Sequence, residues 1–196
     1  MTQRHNQDYL VCETCRVYQF PTSIESSVDP IVPSGRTIEF QCPSCAVDLE
    51  VGILHDMIDV CFCNQCRGYV IDSPSFHPLV HELRSHYSGE ADQPSPLDPK
   101  ELDRVVQCPT CLDSMQTHPY YGPGAVVINS CSGCKINWMN HGELALIMRA
   151  PGKRPKPDES PFTLPPVKID TTDPVYELFS DNVALQTLRI FTGFGP

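Results

Sequence analysis

Ten of the eleven cysteines stand in five Cys-x-x-Cys pairs: Cys12/Cys15, Cys42/Cys45, Cys63/Cys66, Cys108/Cys111 and Cys131/Cys134. Sulfur can act as a nucleophile, a redox centre or a soft metal ligand. Two residues between cysteines make one tight turn that aims both sulfurs at a single tetrahedral ion. In a reducing compartment such pairs bind metal or do redox chemistry rather than form structural disulfides. The eleventh cysteine, Cys61, stands outside the pattern.

The pairs repeat. Gln41-Cys42-Pro43-Ser44-Cys45 returns as Gln107-Cys108-Pro109-Thr110-Cys111, 66 positions later. A second pair follows each, after 17 residues in the first copy and 19 in the second. This groups Cys42, Cys45, Cys63 and Cys66 as one set, and Cys108, Cys111, Cys131 and Cys134 as another. Four thiolates per ion are the usual ligands of structural zinc and leave no coordination position open to substrate. Two zinc ions are therefore expected.

The second copy carries a further motif. Cys108-Pro109-x-Cys111, then Cys131-x-x-Cys134, then Trp138, Gly142, Glu143 and Leu144 resemble the transcription-factor zinc-finger family related to the TFIIB ribbon. The first copy keeps the four cysteines, Gly68 and Asp72, but has Val70 where the family has Trp. The resemblance covers residues 41–80 and 107–149 and implies zinc binding and a zinc-ribbon fold. Trp138 reads as a lid over its own ribbon, and Glu143 as a capping residue rather than a general base.

Cys12/Cys15 has no partner pair in the repeat. It has three readings: a third metal site, a redox-active or idle dithiol, or a ribbon formed with Cys42/Cys45. His77 and His81, one helical turn apart, are candidate ligands for a third site, as are Cys61 and His55. Repeat symmetry disfavours the ribbon with Cys42/Cys45. His118, next to Pro119, reads as an exposed turn residue.

These groups need positioning elements. Each gap between pairs suits a β-hairpin. Met57-Ile58-Asp59-Val60 and Ala125-Val126-Val127-Ile128 read as strands entering the second pairs, and Gly122-Pro123-Gly124 as a turn. A short helix follows each copy. The first is expected over about Ser75 to Tyr87, because proline is tolerated only in a first turn. The second starts at Asn140 as N-cap, with Glu143 closing a capping box. Leu144, Ile147 and Met148 share one face, and Pro151-Gly152 ends the helix.

The expected organisation is an N-terminal segment (1–40), ribbon and helix (41–87), linker (88–104), ribbon and helix (105–150), Pro-rich linker (151–172) and a C-terminal helix (173–192). The fold class is a small metal-stabilised α+β protein, since small ribbons with little apolar interior need metal.

Charge selects among partners. Residues 1–90 hold five Lys/Arg against twelve Asp/Glu, residues 91–150 four against six, and residues 151–196 five against six, for the net −10 of the chain. Each four-thiolate zinc site adds about −2. Such a field repels the phosphate backbone, so nucleic acid is disfavoured and a protein partner expected. No apolar run reaches membrane-spanning length, and residues 1–8 lack the apolar core of a secretory signal, so a cytoplasmic protein is expected. The leading expectation is a non-enzymatic protein-interaction adaptor, with self-association through the C-terminal helix. The alternatives are a thiol-redox or zinc-responsive protein using Cys12/Cys15, and a nucleic-acid-binding ribbon.

Overall fold

The computed structural model describes residues 2–3, 9–12, 14, 17–93, 96–120, 126–157 and 164. The helix expected over 173–192, the turn at 122–124 and Cys15 lie outside these. The described residues are sheet-rich with two α-helices and two four-cysteine groups, as a small metal-stabilised α+β protein requires.

A small antiparallel sheet is formed by β1 (Thr2–Gln3), β2 (Leu10–Val11) and β3 (Tyr18–Gln19). The main sheet has seven strands. The first copy supplies β4 (Ile31–Gln41), β5 (Asp48–Leu54), β6 (Ile58–Phe62) and β7 (Tyr69–Asp72); the second supplies β8 (Gln116–Pro119), β9 (Val127–Cys131) and β10 (Ile136–Met139). Their order is β4-β5-β6-β7-β10-β9-β8, so the two copies join through β7 and β10. That ladder is antiparallel, from Tyr69 opposite Met139 to Asp72 opposite Ile136.

Burial follows position in the sheet. In β6 and β7 nearly every residue is buried, because these strands are covered on both faces. One core holds Ile31, Leu54, Phe62 and Ile71 of the first copy with Ile128, Met139, Leu144 and Ile147 of the second. Helix α1 (Ser73–His86) adds Phe76, Leu79 and Leu83 to that core. No described helix is long and apolar enough to cross a membrane.

Asp72 caps α1: its Oδ2 accepts from the Ser75 N–H at 3.0 Å and the Ser75 hydroxyl at 2.8 Å. The helix starts at Ser73 rather than Ser75 and runs past Pro78. The expectation that proline confines this helix is corrected. Pro78 sits in the second turn, buried against the core, and packing of Phe76, Leu79 and Val80 offsets the missing N–H.

Helix α2 (Glu143–Arg149) also starts differently from expectation. Gly142 precedes it in a left-handed conformation (φ 85°) and Asn140 does not cap it through its side chain. Half of the capping box forms: Glu143 Oε2 accepts from the Asn140 N–H at 2.8 Å, while the Asn140 amide donates to Glu143 Oε1 at 2.9 Å. Glycine is suited to position 142 because φ > 0 costs it nothing sterically.

Polar contacts tie the copies together. The buried Asp29 carboxylate accepts from the Tyr69 hydroxyl at 3.1 Å and from the Gly142 N–H at 2.7 Å. Arg84 of α1 donates to the carbonyls of Ile147 and Ala150 at 2.6 and 3.1 Å, satisfying the C-terminal end of α2. The start of the expected linker is bound too. The Asp92 N–H donates to Arg149 O at 2.9 Å, and Arg154 donates to Tyr87 O and Gly89 O.

Candidate metal centres

Each of the pairs Cys42/Cys45, Cys63/Cys66, Cys108/Cys111 and Cys131/Cys134 sits at the tip of a hairpin, and the backbone closes the turn in a common way. The Cys42 N–H donates to Val47 O, Cys63 to Gly68 O and Cys108 to Asp113 O, all at 2.8 Å. The residue after each second cysteine is left-handed: Ala46 (φ 54°), Arg67 (φ 56°), Leu112 (φ 64°) and Lys135 (φ 54°). None of the four is glycine, so each costs on the order of 1–2 kcal/mol. A strained conformation repeated in all four turns needs an interaction that holds it, and shared metal coordination would provide one.

The tips converge in pairs. Cys42, Cys45, Cys63 and Cys66 have sulfurs all within 4.8 Å of one another, and so do Cys108, Cys111, Cys131 and Cys134. Cys42 Sγ lies 3.6 Å from Cys66 Sγ, and Cys111 Sγ lies 3.7 Å from Cys131 Sγ. A tetrahedron with Zn–S bonds of about 2.3 Å has edges of about 3.8 Å. The donor sets therefore fit a thiophilic four-coordinate ion. Among the described residues these are the two groups that could hold a metal. Cys42/Cys45 joins Cys63/Cys66, which removes the alternative ribbon with Cys12/Cys15.

Electrostatics points the same way. The Cys63 thiol is held far below the ordinary range by hydrogen bonds from the Cys42 and Cys66 thiols. Cys66 is pushed far up by the same two neighbours and by burial. Burial first, then its sulfur neighbours, raises Cys134. Without a cation the sulfurs of a group share protons; a divalent ion lets all four ionise. Backbone N–H groups also face sulfur, from Gln65 to Cys63 and from Cys134 to Cys131, each at 3.4 Å.

Trp138 is fully buried, but it does not serve as a lid over its own copy alone. Its ring lies on Gly68 of the first copy, where an added Cβ would come within 2.5 Å of Trp138 Cζ2. That close approach is the physical reason for glycine at position 68. Glu143 is buried and its carboxyl is raised by desolvation, against which Arg104 acts from 2.9 Å. It braces the start of α2, as a capping role requires.

The remaining candidates separate. Cys61 is fully buried in β6 opposite Val51 and Val70, and burial pushes its thiol up. His55 lies in the β5–β6 turn. His77 packs against Phe76 and Tyr120, with ring centroids 5.6 and 6.1 Å away. Neither His77 nor His81 belongs to a metal-competent group among the described residues. His118 is not an exposed turn residue: it sits in β8, half-buried, with Nε2 3.0 Å from Ser130 Oγ.

The sequence reading missed Arg67. Its guanidinium stacks on the Phe20 ring at 3.9 Å and donates to Thr22 O at 2.6 Å, docking the N-terminal segment on a cysteine turn. An isolated Arg within a Cys-x-x-Cys-Arg-Gly string gives no signal of this. Comparison with protein families, with curated proteins and with solved structures finds no match to this chain.

Proposed function

We propose that this chain is a zinc-ribbon protein that acts as a non-enzymatic adaptor between proteins. The observation that carries the reading is that each four-sulfur group is complete within the chain. Cys42, Cys45, Cys63 and Cys66 would hold one zinc ion and Cys108, Cys111, Cys131 and Cys134 a second. Each ion would cross-link two hairpin tips and leave no position open to substrate. The resemblance to the TFIIB-related ribbon supports the same assignment. The acidic charge of the chain favours a protein over a nucleic-acid partner.

Exposed apolar side chains near the Cys108 tip support the protein-partner reading. Of five large exposed hydrophobics among the described residues, Leu102, Val105 and Leu112 cluster in sequence around the Cys108 tip, with Val105 82% and Leu112 67% exposed. Such side chains gain most when a partner covers them. Elemental analysis and native mass spectrometry test the zinc assignment, with two ions per chain expected and fewer than two rejecting it. Anisotropy titration with short RNA and DNA at low salt tests the partner class. Submicromolar binding that falls steeply with salt would replace the protein partner with nucleic acid.

A further inference from the structure

A cleft of about 370 Å³ opens between the first turn of α1 and strands β8, β9 and β10 of the second copy. None of the eight cysteines of the metal groups lines it. Its walls are aromatic. The Phe76 and Tyr120 rings meet edge to face at 5.4 Å, and the His77 ring lies 6.1 Å from Tyr120. No Lys, Arg, Asp or Glu is among the described residues that line the cleft. A charged occupant would lose its hydration there without a counter-charge, so an uncharged one is favoured. The volume is at the small end of the range of ligand pockets, about 300–1,000 Å³, and suits one side chain better than an extended ligand.

The polar groups of the cleft are few and fixed in place. The Ser130 hydroxyl donates to Asn137 Oδ1 at 2.7 Å and lies 3.0 Å from His118 Nε2. Asn137 is 5% exposed, and its Nδ2 makes no hydrogen bond among the described residues. A donor so enclosed is costly until an occupant accepts from it. Ser73 spends its backbone N–H on Lys135 O, and its hydroxyl also makes no hydrogen bond among the described residues.

We propose that this cleft receives a tyrosine side chain of a partner protein, its ring against the aromatic walls and its hydroxyl accepting from Asn137 Nδ2. The inference deepens the adaptor reading and rests on it. Hydrogen-bond chemistry selects the ring. The Asn137 donor needs an acceptor on the occupant. Phe has none and the Trp indole N–H only donates, whereas the Tyr hydroxyl both accepts and donates. Tyrosine is also among the residues that carry most binding energy when they fill a pocket at an interface. A nucleobase offers comparable acceptors, but it arrives on a phosphate backbone that the net −10 of the chain repels.

Titration of the full, zinc-loaded chain with N-acetyl-tyrosinamide, followed by two-dimensional NMR, decides this. Shifts are expected at the Asn137 side-chain amide and at the backbone amides of His77 and Ser130, with a midpoint of about 1 mM or below. N-acetyl-phenylalaninamide should bind about 10-fold more weakly, the share of one hydrogen bond. That preference should vanish in Asn137→Leu, which keeps similar volume without the donor. His77 is exposed, so His77→Ala leaves the fold intact and should weaken both amides alike, by about 3-fold. Equal binding of the two amides by the wild type, or undiminished binding by His77→Ala, would overturn the proposal even if Asn137→Leu does not fold. Uridine moving the same resonances at lower concentration than the tyrosine amide would reject the tyrosine assignment together with the protein-partner reading. No shift at the cleft with any of the three probes would overturn the cleft proposal alone and leave the adaptor reading standing.

Discussion

Val70 and Trp138 face each other across the β7–β10 ladder, and each is the fourth residue after the last cysteine of its copy. Equivalent residues that pair with one another lie on an internal twofold axis. The register agrees: Tyr69 pairs with Met139 and Ile71 with Asn137, which exchange under a shift of 68 positions. The repeat thus packs against itself as subunits of an isologous dimer do. At the axis one copy supplies a small Val and the other the single Trp, so the interface is symmetric in backbone and asymmetric in side chain.

The Gly68–Trp138 contact is testable on this basis. Gly68→Ala should force the indole to move, because the new methyl group would approach Cζ2 to 2.5 Å. Overpacking of this kind costs about 1–3 kcal/mol. The chain has one Trp, so its emission reports the interface directly. The urea midpoint should fall and the emission shift should change, with zinc content unaltered. An unchanged midpoint and spectrum would mean the ring has space to relax.

Arg84 offers a second test. It is buried and supplies donors to carbonyls at the end of α2. Arg84→Met keeps the aliphatic stem but leaves buried acceptors unsatisfied. The expected loss is about 2–3 kcal/mol, read as a lower unfolding midpoint at constant zinc stoichiometry. Arg84→Lys should recover only part of it, because an ammonium cannot span the same carbonyls.

The two four-cysteine groups were legible in the sequence because Cys-x-x-Cys spacing encodes a local turn, and the repeat identified which pairs converge. The joining of the two copies was not legible. Nothing in Tyr69-Val70-Ile71-Asp72 or Ile136-Asn137-Trp138-Met139 specifies its long-range strand partner; their continuous burial becomes interpretable only once both faces of the sheet are covered. Pro78 misled the helix reading because tertiary packing outweighed a local penalty. His118 did so because the Pro119 next to it lies on the outer strand β8, where proline is tolerated.

His55 should give the fold an acid-sensitive term. Burial lowers its pKa from 6.5 to about 4, with Asp56 pulling the other way. In this range the unfolded chain binds the extra proton, so stability rises with pH. The contribution is complete above pH 6.5 and is lost as pH falls toward 4. Its ceiling is about 3 kcal/mol, reduced by partial exposure. His55 also has a left-handed backbone (φ 52°), which Asn tolerates. Urea midpoints of His55→Asn should therefore decline less between pH 7 and 5 than those of the wild type. Parallel declines would show that His55 titrates normally.

Metal loss at one group should be felt at the other. Cys131 ends β9 and opens the turn into β10, which pairs with β7; β7 in turn leaves the Cys66 turn. The two groups are thus joined by one strand pair, and the core beneath them is shared between the copies. Cys131→Ser removes a ligand and should release the second ion, because metal binding at such a site is folding free energy. The loosened β10 then supports β7 less well, so a chelator should strip zinc from Cys42, Cys45, Cys63 and Cys66 faster than in the wild type. Cys61→Ala is the control: it alters a buried thiol in the same sheet without touching a ligand set, and should keep both ions. Release can be followed with a colorimetric zinc indicator. An unchanged rate at the first group in Cys131→Ser would mean that the two copies hold their metals independently despite the shared sheet. Accelerated release in Cys61→Ala as well would trace the effect to general destabilisation rather than to metal loss.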